Sequence, residues 1–294
     1  MISRVTDQMT SLQSQQHLQA SKARVSDMQA RASSLQRIAR PSDDPTATAE
    51  AMRVKSLQAA TAQQARNVDD GNGWLSTADS ALTAADAILA KVRQLTLQGA
   101  NTGAVSPDAL DAIATELEGL KKDLLSTANA SYNGRSVFAG TSDAGVAWTD
   151  DYTFTGGVDA AVLRRIGPET TVRVDADGAR AFGDGDDSVF RLIDDIVTDL
   201  RGGTNVSTHL AAIDVRVGDL RGVQSGVGAR HAQLLRAEDT LMDTKVSLEA
   251  QRSELEDLDL GQAVLDLQLQ QNSYQAALAI TAKVVQTSLM DFLR

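Results

Sequence analysis

Two stretches of this chain repeat an apolar residue every seventh position, and that regularity restricts the fold more than anything else in the sequence. In the first, the repeating position reads Val54, Thr61, Val68, Leu75, Leu82, Leu89 and Thr96, with Leu57, Ala78, Ala85 and Val92 in a companion stripe. In the second it reads Ile213, Leu220, Val227, Leu234, Leu241, Leu248 and Leu255. A seven-residue repeat held this long keeps one narrow seam against a partner and winds helices left-handedly around each other. Each stretch runs about 45–55 residues, or roughly 75 Å at about 1.5 Å per residue. Matched lengths in the two halves of one chain predict that they lie antiparallel. Two unrelated helices of a globular bundle would fit less well, since such helices seldom pass about 25 residues. The triplet Gly71-Asn72-Gly73 interrupts the first stretch. At about 1 kcal/mol per glycine relative to alanine, it predicts a local bend or break.

The outermost segments follow a different rule. Residues 8–21 and 267–282 carry no formal charge, with His17 neutral, yet keep helical spacing. Ile2, Val5, Met9 and Leu12 form a short stripe; Leu260, Val264, Leu267, Tyr274, Leu278, Val285 and Phe292 form a longer one. Ala263, Ala277, Ile280 and Val284 add a second apolar face, and Gln271, Thr281 and Ser288 fill the remaining seam positions. A helix facing water normally carries Lys and Glu on its wet side. Amides and hydroxyls there, with apolar groups on more than one face, suit a helix enclosed by protein. Val5, Met9, Leu12, Leu260, Val264, Leu267, Tyr274, Leu278, Val285 and Phe292 are therefore the candidate assembly interface. Ordinary buried terminal helices, or flexible tails, stay open as readings on pattern alone.

Between the helical halves, strand-like pieces fall near 147–154, 161–166 and 170–174, separated by Gly156-Gly157, Gly167-Pro168 and Asp177-Gly178. This predicts a small β-rich insert over 141–188. Aromatic residues make up only 3% of the chain, and Trp148, Tyr152 and Phe154 concentrate here. The fold class expected is mainly α: a long antiparallel helical rod or coiled coil formed by the N- and C-terminal halves, with that insert.

Chemistry finds little to build on. The net charge of −11 disfavours nucleic acid and anionic membranes as partners. The absence of cysteine removes disulfides and thiolate chemistry. His17, His209 and His231 are scattered, no phosphate loop occurs, and the acidic turns at 175–178 and 184–187 lack the glutamate that a calcium loop needs. The glycines of 222–228 lack dinucleotide spacing and read as a flexible or closely packed piece of helix. No catalytic residue, metal or cofactor is expected. Residues 1–6 have neither the basic nor the apolar region of a cleavable signal, and no run of about 18 apolar residues suggests a membrane span.

Several segments carry a resemblance. Arg40-Pro41-Ser42-Asp43-Asp44-Pro45, residues 91–102, Asn133-Gly134-Arg135-Ser136-Val137-Phe138-Ala139-Gly140, Val227-Gly228-Ala229-Arg230, Ser253-Glu254-Leu255-Glu256-Asp257 and residues 288–293 together resemble the bacterial flagellin family, and more closely its hook-associated members. The resemblance covers roughly 1–140 and 189–294. It implies terminal inner-layer assembly helices at 1–40 and 256–294, a rod with a β-hairpin at 41–140 and 189–255, and an outward insert at 141–188. It also implies a structural subunit at the hook–filament junction, exported through the flagellar type III channel without a cleaved signal. Its partners would be copies of itself in a ring or tube, hook-associated protein 1, flagellin and an export chaperone. A filament subunit, and more distantly a cytoplasmic coiled-coil scaffold, are the alternatives. In the loop Ser42, Asp43, Asp44 and Pro45, the first two residues are expected to cap the following helix, with Pro45 in its first turn.

Overall fold

The heptad positions fold as the repeat requires. In the computed structural model, which describes residues 2–38, 40–101, 106–157 and 160–292, Val54, Thr61, Val68, Leu75, Leu82, Leu89 and Thr96 are all buried, as are Ile213, Leu220, Val227, Leu234, Leu241 and Leu248. The described residues form helices α1 (Ile2–Ser34), α2 (Pro45–Ala100), α3 (Pro107–Ala128), α4 (Gly178–Phe182), α5 (Val189–Arg201), α6 (His209–Glu256) and α7 (Leu260–Phe292). Short strands β1 (Ser131–Tyr132), β2 (Arg135–Ser136), β3 (Leu163–Arg165) and β4 (Thr171–Arg173) complete them. The protein is mainly α. Its residues group into two compact units, Met1–Ala59 with Lys245–Arg294, and Ala60–Thr244.

In the larger unit α2 and α6 are antiparallel. Arg93 donates to Asp214 at 2.6 Å, Arg221 to Asp86 at 2.8 Å, and Gln224 to Thr83 at 3.0 Å, so numbers rise on one helix as they fall on the other. The expected break at Gly71-Asn72-Gly73 is absent, because α2 runs through it. The glycines serve close packing instead. A Cβ on Gly71 would lie 3.0 Å from side-chain carbons of both Leu234 and Val174, and one on Gly73 would overlap the Tyr132 ring. Tyr132 opens the hairpin β1–β2, whose turn residues Asn133 and Gly134 both take positive φ, the geometry of an Asn-Gly two-residue turn.

The scarce aromatic rings are gathered rather than spread. Trp148 meets Phe182 and Phe190 edge-on at 5.2 and 5.9 Å, and Phe138 meets Phe182 at 5.3 Å. Trp148 also donates to the Gly183 carbonyl at 3.2 Å, so its one polar atom is satisfied inside this core. Segment 141–188 thus shares a hydrophobic core with residues before and after it, and it belongs to the same compact unit as α3 and α5.

Within that segment the strands are fewer than the pattern suggested. Pieces 161–166 and 170–174 pair as the antiparallel β3–β4, with Arg164 opposite Val172. The piece at 147–154 retains a single bridge, Trp148 to Phe154, because the chain turns at Tyr152 with φ 65°. Asp177-Gly178 opens α4 rather than making a turn: Asp177 Oδ1 accepts the Arg180 amide at 3.1 Å. Nor is Asp175 a loose turn carboxylate. It is fully buried, accepting from the Val162 amide at 2.7 Å and from both arms of Arg173.

Candidate assembly surface

In the smaller unit α1 and α7 pack against each other. Along α1 the half-buried positions are Ser14, Leu18, Ser21, Val25, Met28 and Ala32; along α7 they include Ala263, Leu267, Gln270, Tyr274, Ala277 and Thr281. Both sets step by three or four residues, the seam of one helix on one partner. Gln270 donates to Ser21 Oγ at 3.2 Å across it. At its end, Arg37 N donates to Glu256 O at 2.8 Å and Leu258 N to Leu35 O at 3.0 Å, which fixes the pair as antiparallel.

Two helices alone cover only one stripe of each other. The remaining apolar residues therefore face outward. Met9 and Leu12 on α1, and Leu260, Val264, Leu265, Leu269, Leu278 and Ile280 on α7, are all exposed, from 41% for Leu278 to 65% for Met9. Burial of such side chains is worth about 1.5–3 kcal/mol each, and this chain leaves that free energy unrealised.

The sequence-predicted interface residues accordingly divide. Leu267 and Tyr274 lie in the intramolecular seam, while Met9, Leu12, Leu260, Val264 and Leu278 lie outside it. The side chains of Val5, Val285 and Phe292 are outside the described ones. Sequence reasoning missed Leu265 and Leu269 on the outer face and Leu18, Val25 and Met28 in the seam. The seven-residue step from Leu18 to Val25 to Ala32 was available as a signal for the latter.

The loop before α2 lies within the same unit. Its cap is Asp44, not Ser42 or Asp43: Asp44 Oδ1 accepts the Ala47 amide at 2.9 Å, and Pro45 takes the first helical position. Asp43 instead accepts from the Arg40 amide at 3.2 Å and pairs with Arg31 at 3.6 Å, so it ties the loop to α1. Ser42 is exposed.

Nearby, Lys55 bridges to Glu256 at 2.5 Å and Gln58 to Glu249 at 2.9 Å, holding α2 and α6 antiparallel in this unit too. The Arg252 guanidinium, 2.7 Å from Glu249, holds that carboxyl below its ordinary range, and Glu249 in turn raises Arg252. These are orienting contacts on a helix surface. Among the described residues no group of three His, Cys, Asp or Glu could hold a metal ion, and no helix is long and apolar enough to cross a membrane.

Paired long helices from both halves of the chain, with a terminal pair whose outer faces are apolar, define a coiled-coil-type helical subunit. The chain belongs to the flagellin family: the bacterial flagellin N-terminal helical region matches residues 5–143, and the C-terminal helical region matches 210–293. It is a flagellar structural protein. It is 24% identical over 267 residues to flagellar hook-associated protein 3 of Salmonella typhimurium, covering 82% of this chain and 84% of that one. To the flagellin of Bacillus subtilis it is 24% identical over 267 residues, covering 85% and 86%. Its fold superposes on a flagellar junction protein from Legionella pneumophila with a TM-score of 0.57 at 16% identity, over 71% of this chain and 100% of that one.

Proposed function

We propose that this chain is the adaptor subunit between the flagellar hook and the flagellin filament, and that it assembles through its terminal helices. One observation carries the reading: α1 and α7 satisfy each other along a single seam and leave Met9, Leu12, Leu260, Val264, Leu265, Leu269, Leu278 and Ile280 uncovered. Neighbouring subunits that cover these faces supply the missing burial, and helices of this kind gain order on assembly. The names of the similar hook-associated protein 3 and junction protein support the junction rather than the shaft. The partners would then be further copies of the chain, hook-associated protein 1 on one side and flagellin on the other. An export chaperone would cover the apolar face of α7 before passage through the type III channel.

The filament reading has its own support, because a flagellin matches at the same identity and over a similar span. Quantifying the chain in sheared flagella separates the two. A junction subunit stays at a fixed number per filament whatever the filament length; a filament subunit scales with length. Absence from sheared flagella would leave a cytoplasmic scaffold.

Leu278→Asp tests the surface itself. Leu278 is 41% exposed, so the isolated chain should keep its stability within about 0.5 kcal/mol. Incorporation into flagella should be lost. Normal incorporation would remove the outer face of α7 from the interface.

A further inference from the structure

One side of α6 carries Gly218, Gly222, Gly226 and Gly228. Glycine weakens a helix relative to alanine, yet a Cβ on Gly218, Gly222 or Gly228 would meet nothing within 4 Å, and one on Gly226 only Arg230 Nη2 at 3.9 Å. Nothing in this chain requires these glycines, in contrast to Gly71 and Gly73. Gly222 and Gly226 floor a depression of about 250 Å³ whose walls include Arg173, Asp177, Arg180 and Arg230.

The charges around it are unbalanced. Half-buried Arg230 donates to carbonyls alone, Gly226 O at 3.0 Å, Asp175 O at 2.7 Å and Arg173 O at 3.3 Å. Burial, and then the Arg173 charge, push its pKa down, so its cation is short of counter-charge. Arg173 forks onto buried Asp175. Asp177 is engaged in capping α4. Among the described residues, the exposed Arg180 guanidinium has no carboxylate partner. Three guanidiniums thus meet two carboxylates, in a chain whose net charge is −11.

We propose that this depression seats a carboxylate-bearing segment of a second copy of the chain, gripped by Arg180 and Arg230 against the bare backbone of Gly222 and Gly226. The inference rests on the reading of the chain as an assembled subunit. The occupant follows from charge complementarity: every copy presents an acidic exterior, including the exposed Asp186 and Asp187 of the Gly185–Asp187 turn. Contacts between identical subunits in a ring join two different patches of the same surface, so a basic seat on one copy needs an acidic counterpart on the next. Guanidiniums are the side chains best shaped to hold a carboxylate by two parallel hydrogen bonds. Glycines beneath them let the incoming chain approach to backbone distance.

The chain has no cysteine of its own, so a single introduced thiol reports cleanly. Gly222→Cys should react fully with a maleimide in the purified monomer and at least tenfold less in sheared flagella. Asp143→Cys, at a side chain 98% exposed, is the control that reacts in both. Exclusion of the Gly222→Cys chain from flagella, with an unchanged monomer Tm, counts the same way. In flagella carrying Arg180→Lys, a carbodiimide should join the new amine to a carboxylate of another copy, seen as links between isotopically heavy and light chains. Full maleimide reaction in flagella, or links only to a different protein, overturns the proposal. If the unmodified chain is missing from flagella, the functional reading fails first, and that outcome is seen separately.

Discussion

Single atoms decide several positions in this fold. A Cβ on Gly178 would sit 2.6 Å from both the Phe138 carbonyl and the Trp148 ring, and the first of these is backbone that cannot rotate away. Gly178→Ala should therefore destabilise the protein by about 1–3 kcal/mol, the usual cost of overpacking, read as a lower Tm by calorimetry. An unchanged Tm would mean that the aromatic cluster is looser than its ring distances indicate. Gly71 and Gly73 teach the same lesson from the sequence side. Propensity marks them as helix breakers, and only the partners Tyr132, Val174 and Leu234 show why the helix keeps them. The cap of α2 was legible as an acidic or hydroxyl residue before Pro45, but three candidates stood in a row. The choice of Asp44 depends on which side chain reaches the Ala47 amide.

At the scale of elements, the long helices were legible because their seams repeat, and burial follows the heptads almost without exception. Leu57 is the exception, 47% exposed. The companion stripe that it continues is buried at Ala78, Ala85 and Val92 but not at its own end of α2. The outer stripe of α7 was partly legible. Apolar residues on two faces blurred the angular signal, so the intramolecular seam and the exposed face were read as one. Ion pairs between helices carry a pH dependence. Arg201 holds Glu118, and Arg93 holds Asp214, below their ordinary values of 4.5 and 3.8. Carboxylates depressed in the folded state contribute stability that is whole above those ordinary values. That contribution fades as pH falls through the lower folded-state values. The Tm should therefore drop as the solution is acidified below about 4.5, and an Arg201→Gln, Arg93→Gln double variant should drop less steeply. Parallel curves for the two proteins would show that these surface pairs are too well screened to matter.

For the whole molecule, the insert changes its meaning. As a sequence it reads as a separate β-rich piece; as a structure it supplies Trp148 and Phe182 to a core shared with Phe138 and Phe190. Its few strands concealed this, since the contribution comes from rings on turns and a five-residue helix. Deleting 141–188 should leave Phe138 and Phe190 uncovered and abolish cooperative unfolding of the larger unit. A sharp, native-like melt after that deletion would contradict the shared core.

The central claim concerns what covers the outer faces of α1 and α7. Hydrogen exchange, compared between purified monomer and sheared flagella, addresses it directly. Amides of α1 and α7 should exchange orders of magnitude faster in the monomer than in flagella, while residues 75–92 and 213–234 exchange slowly in both. Equal, strong protection of α1 and α7 in the isolated monomer would contradict the account, because it would show those helices complete without a neighbour.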